Sequence, residues 1–240
     1  PAARSRHGGM GLAIGTADEI QVVVVDDHPS VLRGLELLLP RAGFRVTGTS
    51  VTAEEGARII TARRPHVAVL DIGLGDASGT VLARSVAGLS DRTATVLYTG
   101  CSDPEVLAEA VGSGALGIVQ KTSAIEDLAR AIRAAAAGRA FVDPRIAELL
   151  ADPAARTQRV ISAREAEVLG LIADGLTADE AADRLVLSVE TIHTHVRNAV
   201  RKLGARGRLH AVVLALRHGD LEVEGLVRRP TAAAVTGKSE

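Results

Sequence analysis

The run Gln21-Val22-Val23-Val24-Val25-Asp26-Asp27-His28-Pro29 decides the fold. Its apolar stretch has the length of a buried strand and closes on two adjacent carboxylates. Working outward, further apolar runs occupy residues 45–49, 66–70, 94–98 and 117–120. They alternate with helical patterns near residues 31–41, 54–62, 80–87, 105–111 and 125–137. Five strands interleaved with five helices predict a parallel sheet covered on both faces. In such a sheet, ligands bind outside the carboxyl ends of the strands.

Chemistry is concentrated at those ends. Asp26 and Asp27 close the first strand, Asp71 the third, Thr99 the fourth and Lys121 the fifth. Three carboxylates at one rim repel unless a divalent cation neutralises them, and an all-oxygen set completed by water suits Mg²⁺. A carboxylate nucleophile, a bridging metal, an ammonium and a hydroxyl together can accept a phosphoryl group, so the spacing predicts an aspartyl-phosphate. An Asp-Asp pair alone more often marks a solvated turn or a helix cap; five such positions at five strand ends argue against that reading.

Two other features carry less. Cys101 beside the pocket reads as a packing residue rather than a redox switch. Gly112-Ser113-Gly114-Ala115-Leu116-Gly117 matches the dinucleotide fingerprint, but it follows a helix and precedes a strand, the reverse of what a pyrophosphate site requires.

At 240 residues the chain is long enough for two domains. A hydrophobic share of 47% with 24% charged residues is that of a soluble globular protein. The aromatic residues are only Phe44, Tyr98 and Phe141, so the cores rest on Val, Leu, Ile and Ala. One cysteine excludes an internal disulfide and fits a reducing, cytoplasmic home. No apolar run approaches the ~20 residues of a membrane span, so no membrane partner is expected. The net charge of −1 hides a late basic cluster of Arg197, Arg201, Lys202, Arg206 and Arg208, which suggests a local nucleic-acid surface.

Residues 1–19 lack periodicity and are expected to be disordered, with Met10 leaving residues 1–9 open as an extension or a non-native remnant. The α/β unit spans residues 20–137. Residues 138–160, with Pro144, Pro153 and a short helical piece at 145–150, read as a linker. Residues 161–220 form an all-helical domain, and residues 221–240 a disordered tail. Ser162 with Glu165, and Thr177 with Glu180, fit the capping box; Ser188 suits a third N-cap and Gly219 a helix stop.

Within residues 189–203, Ile192, Val196, Ala199 and Leu203 form one apolar stripe, and Glu190, His193, Thr194, Arg197 and Arg201 fall on the far side. A short turn joins this helix to the one at 178–185, which is the arrangement of a helix-turn-helix.

The segments Val23-Val24-Val25-Asp26-Asp27-His28-Pro29, Val69-Leu70-Asp71 through Gly79, Leu97-Tyr98-Thr99-Gly100 and Val119-Gln120-Lys121 resemble the receiver domain of response regulators. Ile161 to Leu169, Gly175-Leu176-Thr177, Glu180 to Leu185, Ser188 to Val196 and Arg201 to Gly204 resemble the LuxR-type helix-turn-helix. Together they resemble the NarL/FixJ subfamily of two-component response regulators. The resemblance implies a flavodoxin-like five-stranded sheet of order 2-1-3-4-5. It makes Asp71 the phosphoacceptor, Asp27 a direct Mg²⁺ ligand, Asp26 a ligand mainly through water, and the Gly73 carbonyl the last protein ligand. Thr99 and Lys121 would bind the phosphoryl group. His193, Thr194 and Arg197 would meet bases, while Asn198, Arg201 and Lys202 would meet phosphates. The last helix, near 206–218, would pair two DNA-bound subunits.

The implied partners are a sensor histidine kinase, double-stranded DNA and a second copy of the chain. Thr122 stands where proline usually follows the lysine, Ile118 where an inward-turning aromatic is common, and Gly75 where proline is frequent. Ile118 and Thr122 keep open a regulator that works without phosphorylation. An aspartate-nucleophile phosphatase would want an acid two residues after Asp71, and that place is Gly73, so a regulator rather than an enzyme is expected.

Overall fold

The computed structural model describes residues 19–75, 79–89, 93–151 and 159–221. Strands β1 (Ile20–Val25), β2 (Phe44–Ser50), β3 (Val67–Leu70), β4 (Ala94–Thr99) and β5 (Gly117–Gln120) alternate with helices α1 (Pro29–Arg41), α2 (Ala53–Arg63), α3 (Gly79–Leu89), α4 (Pro104–Val111) and α5 (Ile125–Ala136). Residues 1–18 and 222–240 of the ends expected to be disordered, the stretch 76–78 of the family motif, residues 90–92 and the linker residues 152–158 lie outside the described residues.

The sheet is parallel throughout, but among the described residues it has six strands rather than five, in the order β2-β1-β3-β4-β5-β6. The added strand β6 (Phe141–Val142) pairs with Gly117 and Ile118 of β5. Its two residues are too few to show a period, and they sit between Gly138 and Pro144, which made the region read as linker. Hydrogen bonds from Phe141 N to Leu116 O (2.9 Å) and from Asp143 N to Ile118 O (3.0 Å) join it to the sheet. Helix α6 (Pro144–Leu150) follows directly, with Pro144 at its first turn and Asp143 capping it.

Alternation along β1 divides the core. Val22 and Val24 face α1 and α5 with Leu35, Leu39, Phe44 and Ile132. Val23 and Val25 face the other way with Ile60, Leu82 and Leu107.

The C-terminal unit holds α7 (Ala163–Ala173), α8 (Ala178–Leu185), α9 (Val189–Lys202) and α10 (Arg208–Arg217). Both expected capping boxes form, and the Ser188 hydroxyl accepts from Thr191 N. Arg164 donates to Leu185 O at 3.0 Å and so closes α7 onto the end of α8.

Helix α10 is apolar around most of its girth, with Leu209, Val212, Val213 and Leu216 buried, as suits a helix covered on more than one side. It packs on α7 and α9 within its own unit and on α4 and α6 of the other. Arg217 pairs with Glu105 across this junction, and Arg139 lies 3.5 Å from Glu180.

Candidate functional site

The β1–α1 turn brings three residues to the sheet rim. Asp26 is 1% exposed. Its Oδ1 accepts from His28 N at 3.0 Å. His28 Nδ1 stands 3.2 Å from that oxygen and 2.7 Å from Asp27 Oδ1. Asp71, 5% exposed, follows β3 and is anchored through its backbone N to Val25 O at 2.9 Å. A Cβ on Gly79 would stand 1.7 Å from the Asp71 carbonyl oxygen. Only glycine therefore lets α3 begin this close to the strand end.

Lys121 reaches in from the end of β5. Its ammonium lies 2.7 Å from Asp26 Oδ2 and 2.8 Å from Asp71 Oδ2. Burial pushes the ammonium's pKa down, but the hydrogen bonds and charges of Asp26 and Asp71 outweigh it and hold the group above the ordinary lysine value. Thr99, 1% exposed, ends β4, and its hydroxyl accepts from Cys101 N at 3.0 Å. The Cys101 sulfur accepts from Asp103 N at 3.4 Å, and its side chain packs against the core on the β1 Val23 and Val25 side. The Tyr98 hydroxyl donates to Lys121 O at 3.4 Å. Burial raises the Tyr98 pKa, with the Lys121 charge working against it.

Asp26, Asp27, His28 and Asp71 each offer a ligand atom within 4.8 Å of one another. Asp26 Oδ2 and Asp27 Oδ1 are buried, and their close neighbours are the Lys121 ammonium and His28 Nδ1 respectively, each at 2.7 Å. Buried carboxylate oxygens clustered in this way fit a divalent cation. Gly75 lies close to Asp27, since a Cβ there would be 3.7 Å from Asp27 Oδ2. The structure thus brings together all the expected carboxylates with Lys121. Sequence reasoning did not mark His28, whose contact depends on the turn geometry, nor Asp143, whose burial depends on β6.

The second candidate surface is the outer face of α9. His193, Thr194, Arg197 and Arg201 are exposed there, and Ile192, Val196 and Ala199 are buried against α7 and α8. A shallow groove beside it is lined by His193, Arg197 and Arg208. Lys202 behaves differently from its neighbours. Its ammonium lies 2.8 Å from Oε2 of Glu165, which is 4% exposed and also accepts from Ser162 N at 2.7 Å. Desolvation raises the Glu165 pKa, but Lys202 and Ser162 together bring it below the ordinary glutamate value. Among the described residues no helix is long and apolar enough to cross a membrane.

The family pattern of the response regulator receiver domain matches residues 22–133, and that of the bacterial regulatory proteins of the luxR family matches residues 159–215. The chain is 34% identical over 203 residues to the DNA-binding transcriptional activator DevR/DosR of Mycobacterium tuberculosis, covering 82% of this chain and 94% of that protein. It is 35% identical over 202 residues to the probable transcriptional regulatory protein SgaR of Hyphomicrobium methylovorum, covering 82% and 93%. Among solved structures it is similar to the two-component response regulator RcsB in complex with DNA. That likeness has a TM-score of 0.52 and 25% identity, covering 83% of this chain and 99% of that one.

Proposed function

The chain belongs to the NarL/FixJ family of response regulators, which join a receiver domain to a LuxR-type DNA-binding domain, and we propose that phosphorylation of Asp71 controls its binding to DNA. It is a regulator of transcription rather than an enzyme, as its curated relatives are. The observation that carries the proposal is the ammonium of Lys121 held between Asp26 and Asp71 at 2.7 and 2.8 Å, in a cluster where Asp26, Asp27 and Asp71 bring carboxylate oxygens within 4.8 Å of one another.

An Asp71 carboxylate oxygen attacks the phosphorus of a phosphohistidine on a sensor kinase. The new P–O bond forms as the P–N bond breaks, and the electron pair returns to the imidazole nitrogen. Asp26, Asp27, Asp71 and the Gly73 carbonyl would hold Mg²⁺, which when bound would neutralise charge on the phosphoryl oxygens. Lys121 then exchanges its Asp71 contact for a phosphoryl oxygen, and Thr99 donates its hydroxyl to another.

The receiver begins at residue 20 and its sheet extends through β6 at residue 142, and the DNA-binding domain occupies residues 161–220, in a cytoplasmic protein that reads a paired half-site as a homodimer. His193, Thr194 and Arg197 face bases; Asn198 and Arg201 face phosphates. Lys202 contributes less to phosphate binding because its ammonium is held by Glu165. The reading face of α9 is open, whereas α10 is covered by α4 and α6. Phosphorylation therefore acts on the population in which α10 is free.

A specific observation keeps a second reading, regulation without phosphorylation: Ile118, where a rotating aromatic is common, is already fully buried. Intact-mass measurement after incubation with a small phosphodonor and Mg²⁺ separates the two. One added phosphoryl group, absent from Asp71→Ala, supports the first reading; no adduct, with DNA binding intact, supports the second.

A further inference from the structure

One buried carboxylate joins the phosphate-sensing lysine to the segment that precedes the DNA-binding domain. Asp143 is 1% exposed. Its Oδ2 accepts from Gln120 N at 2.9 Å, immediately before Lys121. Its Oδ1 accepts from Arg145 N at 2.8 Å, in the first turn of α6. One residue beyond Lys121, the Thr122 hydroxyl accepts from the Arg145 guanidinium at 3.2 Å. Lys121 is therefore gripped on both sides in sequence by residues 143 and 145.

A charged carboxylate removed from water is tolerated only where N–H groups replace its hydration, and hydrogen bonds to it are stronger than those between neutral groups. Two backbone donors from different elements make this carboxylate a rigid joint. Beyond it, Ile146, Ala147 and Leu150 are buried, and α6 packs on both α4 and α10. The usual aromatic relay is absent here, because Ile118 has no ring to rotate and no exposure to lose.

We propose that Asp143 is a positioning residue that locks the end of β5 to α6, so that the exchange of the Lys121 contact from the Asp71 carboxylate to a phosphoryl oxygen moves α6 against α10. This rests on the reading of Asp71 as the phosphoacceptor. It assigns the coupling of the two domains to the segment 141–150 in place of an aromatic switch.

The test uses full-length protein, phosphorylated with a small phosphodonor and Mg²⁺, in the wild type and in Asp143→Asn, Arg145→Ala and Thr122→Val. The two substitutions at exposed positions remove the outer grip even if the buried one unfolds the chain. Phosphoryl incorporation is read by intact mass, DNA affinity by titration before and after, and backbone motion by hydrogen exchange over residues 141–150. In the wild type, DNA affinity should rise within the roughly 5- to 150-fold range usual for coupled sites, with exchange changing over 141–150. The variants should take up the same single phosphoryl group but lose most of that rise and of the exchange change.

A rise retained in Arg145→Ala, Thr122→Val and any folded Asp143→Asn overturns the inference. So does tight binding by the unphosphorylated variants, because Asp143 would then be a restraint rather than a transmitter. A wild type that takes no phosphoryl group at Asp71 overturns the proposed function itself; a responsive wild type with equally responsive variants overturns only this inference.

Discussion

The ammonium of Lys121 lies 2.8 Å from Oδ2 of Asp71, so the group that would later hold a phosphoryl oxygen is already committed to the acceptor carboxylate. The same ammonium compensates Asp26, which is almost wholly buried. The resting pocket is thus an ion-pair network whose cation would have to be exchanged for a phosphoryl group to be bound.

Removing that cation leaves two buried carboxylates facing each other. Lys121→Ala should lower unfolding stability by about 3–5 kcal/mol without a divalent ion, the usual cost of breaking a buried pair. Added Mg²⁺ should then raise the melting temperature more in the variant than in the wild type. Thermal melts with and without the ion check this, and equal shifts would count against a shared site.

Arg217 and Glu105 pair across the domain junction on the exposed side of α10. An exposed pair contributes about 0–1 kcal/mol, so Arg217→Ala should raise DNA binding of the unphosphorylated protein by no more than about fivefold. Swapping the two charges should restore the wild-type value. Titration of one DNA site with all three proteins reads both outcomes.

On α9 the three basic positions should separate. Arg197→Ala should cost about 1–3 kcal/mol and relax preference at one base pair, while Arg201→Ala should weaken binding to all sequences and reduce the salt slope by about one. Lys202→Ala should leave the slope nearly unchanged and instead destabilise the domain, because Glu165 loses its counter-ion.

Glu165 also sets an acid limit. Its carboxyl ionises below the ordinary glutamate range when folded, so its contribution is complete above about pH 4.3 and is lost as the pH falls through the lower folded value. Circular dichroism during acid titration should show a steeper loss in the wild type than in Glu165→Gln.

Much of this was legible in the sequence because its signals are local. Strand ends announce themselves through the apolar runs before them, which placed Asp26, Asp27, Asp71, Thr99 and Lys121 at one rim, and the capping boxes at Ser162 and Thr177 need only four residues each. What escaped depends on contacts between distant residues. Strand β6 is two residues long, and its pairing with β5 is what buries Asp143. Lys202 lies on the polar side of its helix by period, yet its ammonium is captured by a glutamate 37 positions earlier. His28 meets Asp27 only through the shape of the turn.

In the proposed mechanism, one phosphoryl group on Asp71 changes affinity for DNA. This is tested most directly by titrating a paired half-site with one preparation before and after phosphodonor and Mg²⁺, with occupancy of Asp71 fixed by intact mass. The account predicts tighter binding in proportion to the phosphorylated fraction and no change in Asp71→Ala; equal affinity of fully phosphorylated and unphosphorylated protein would contradict it.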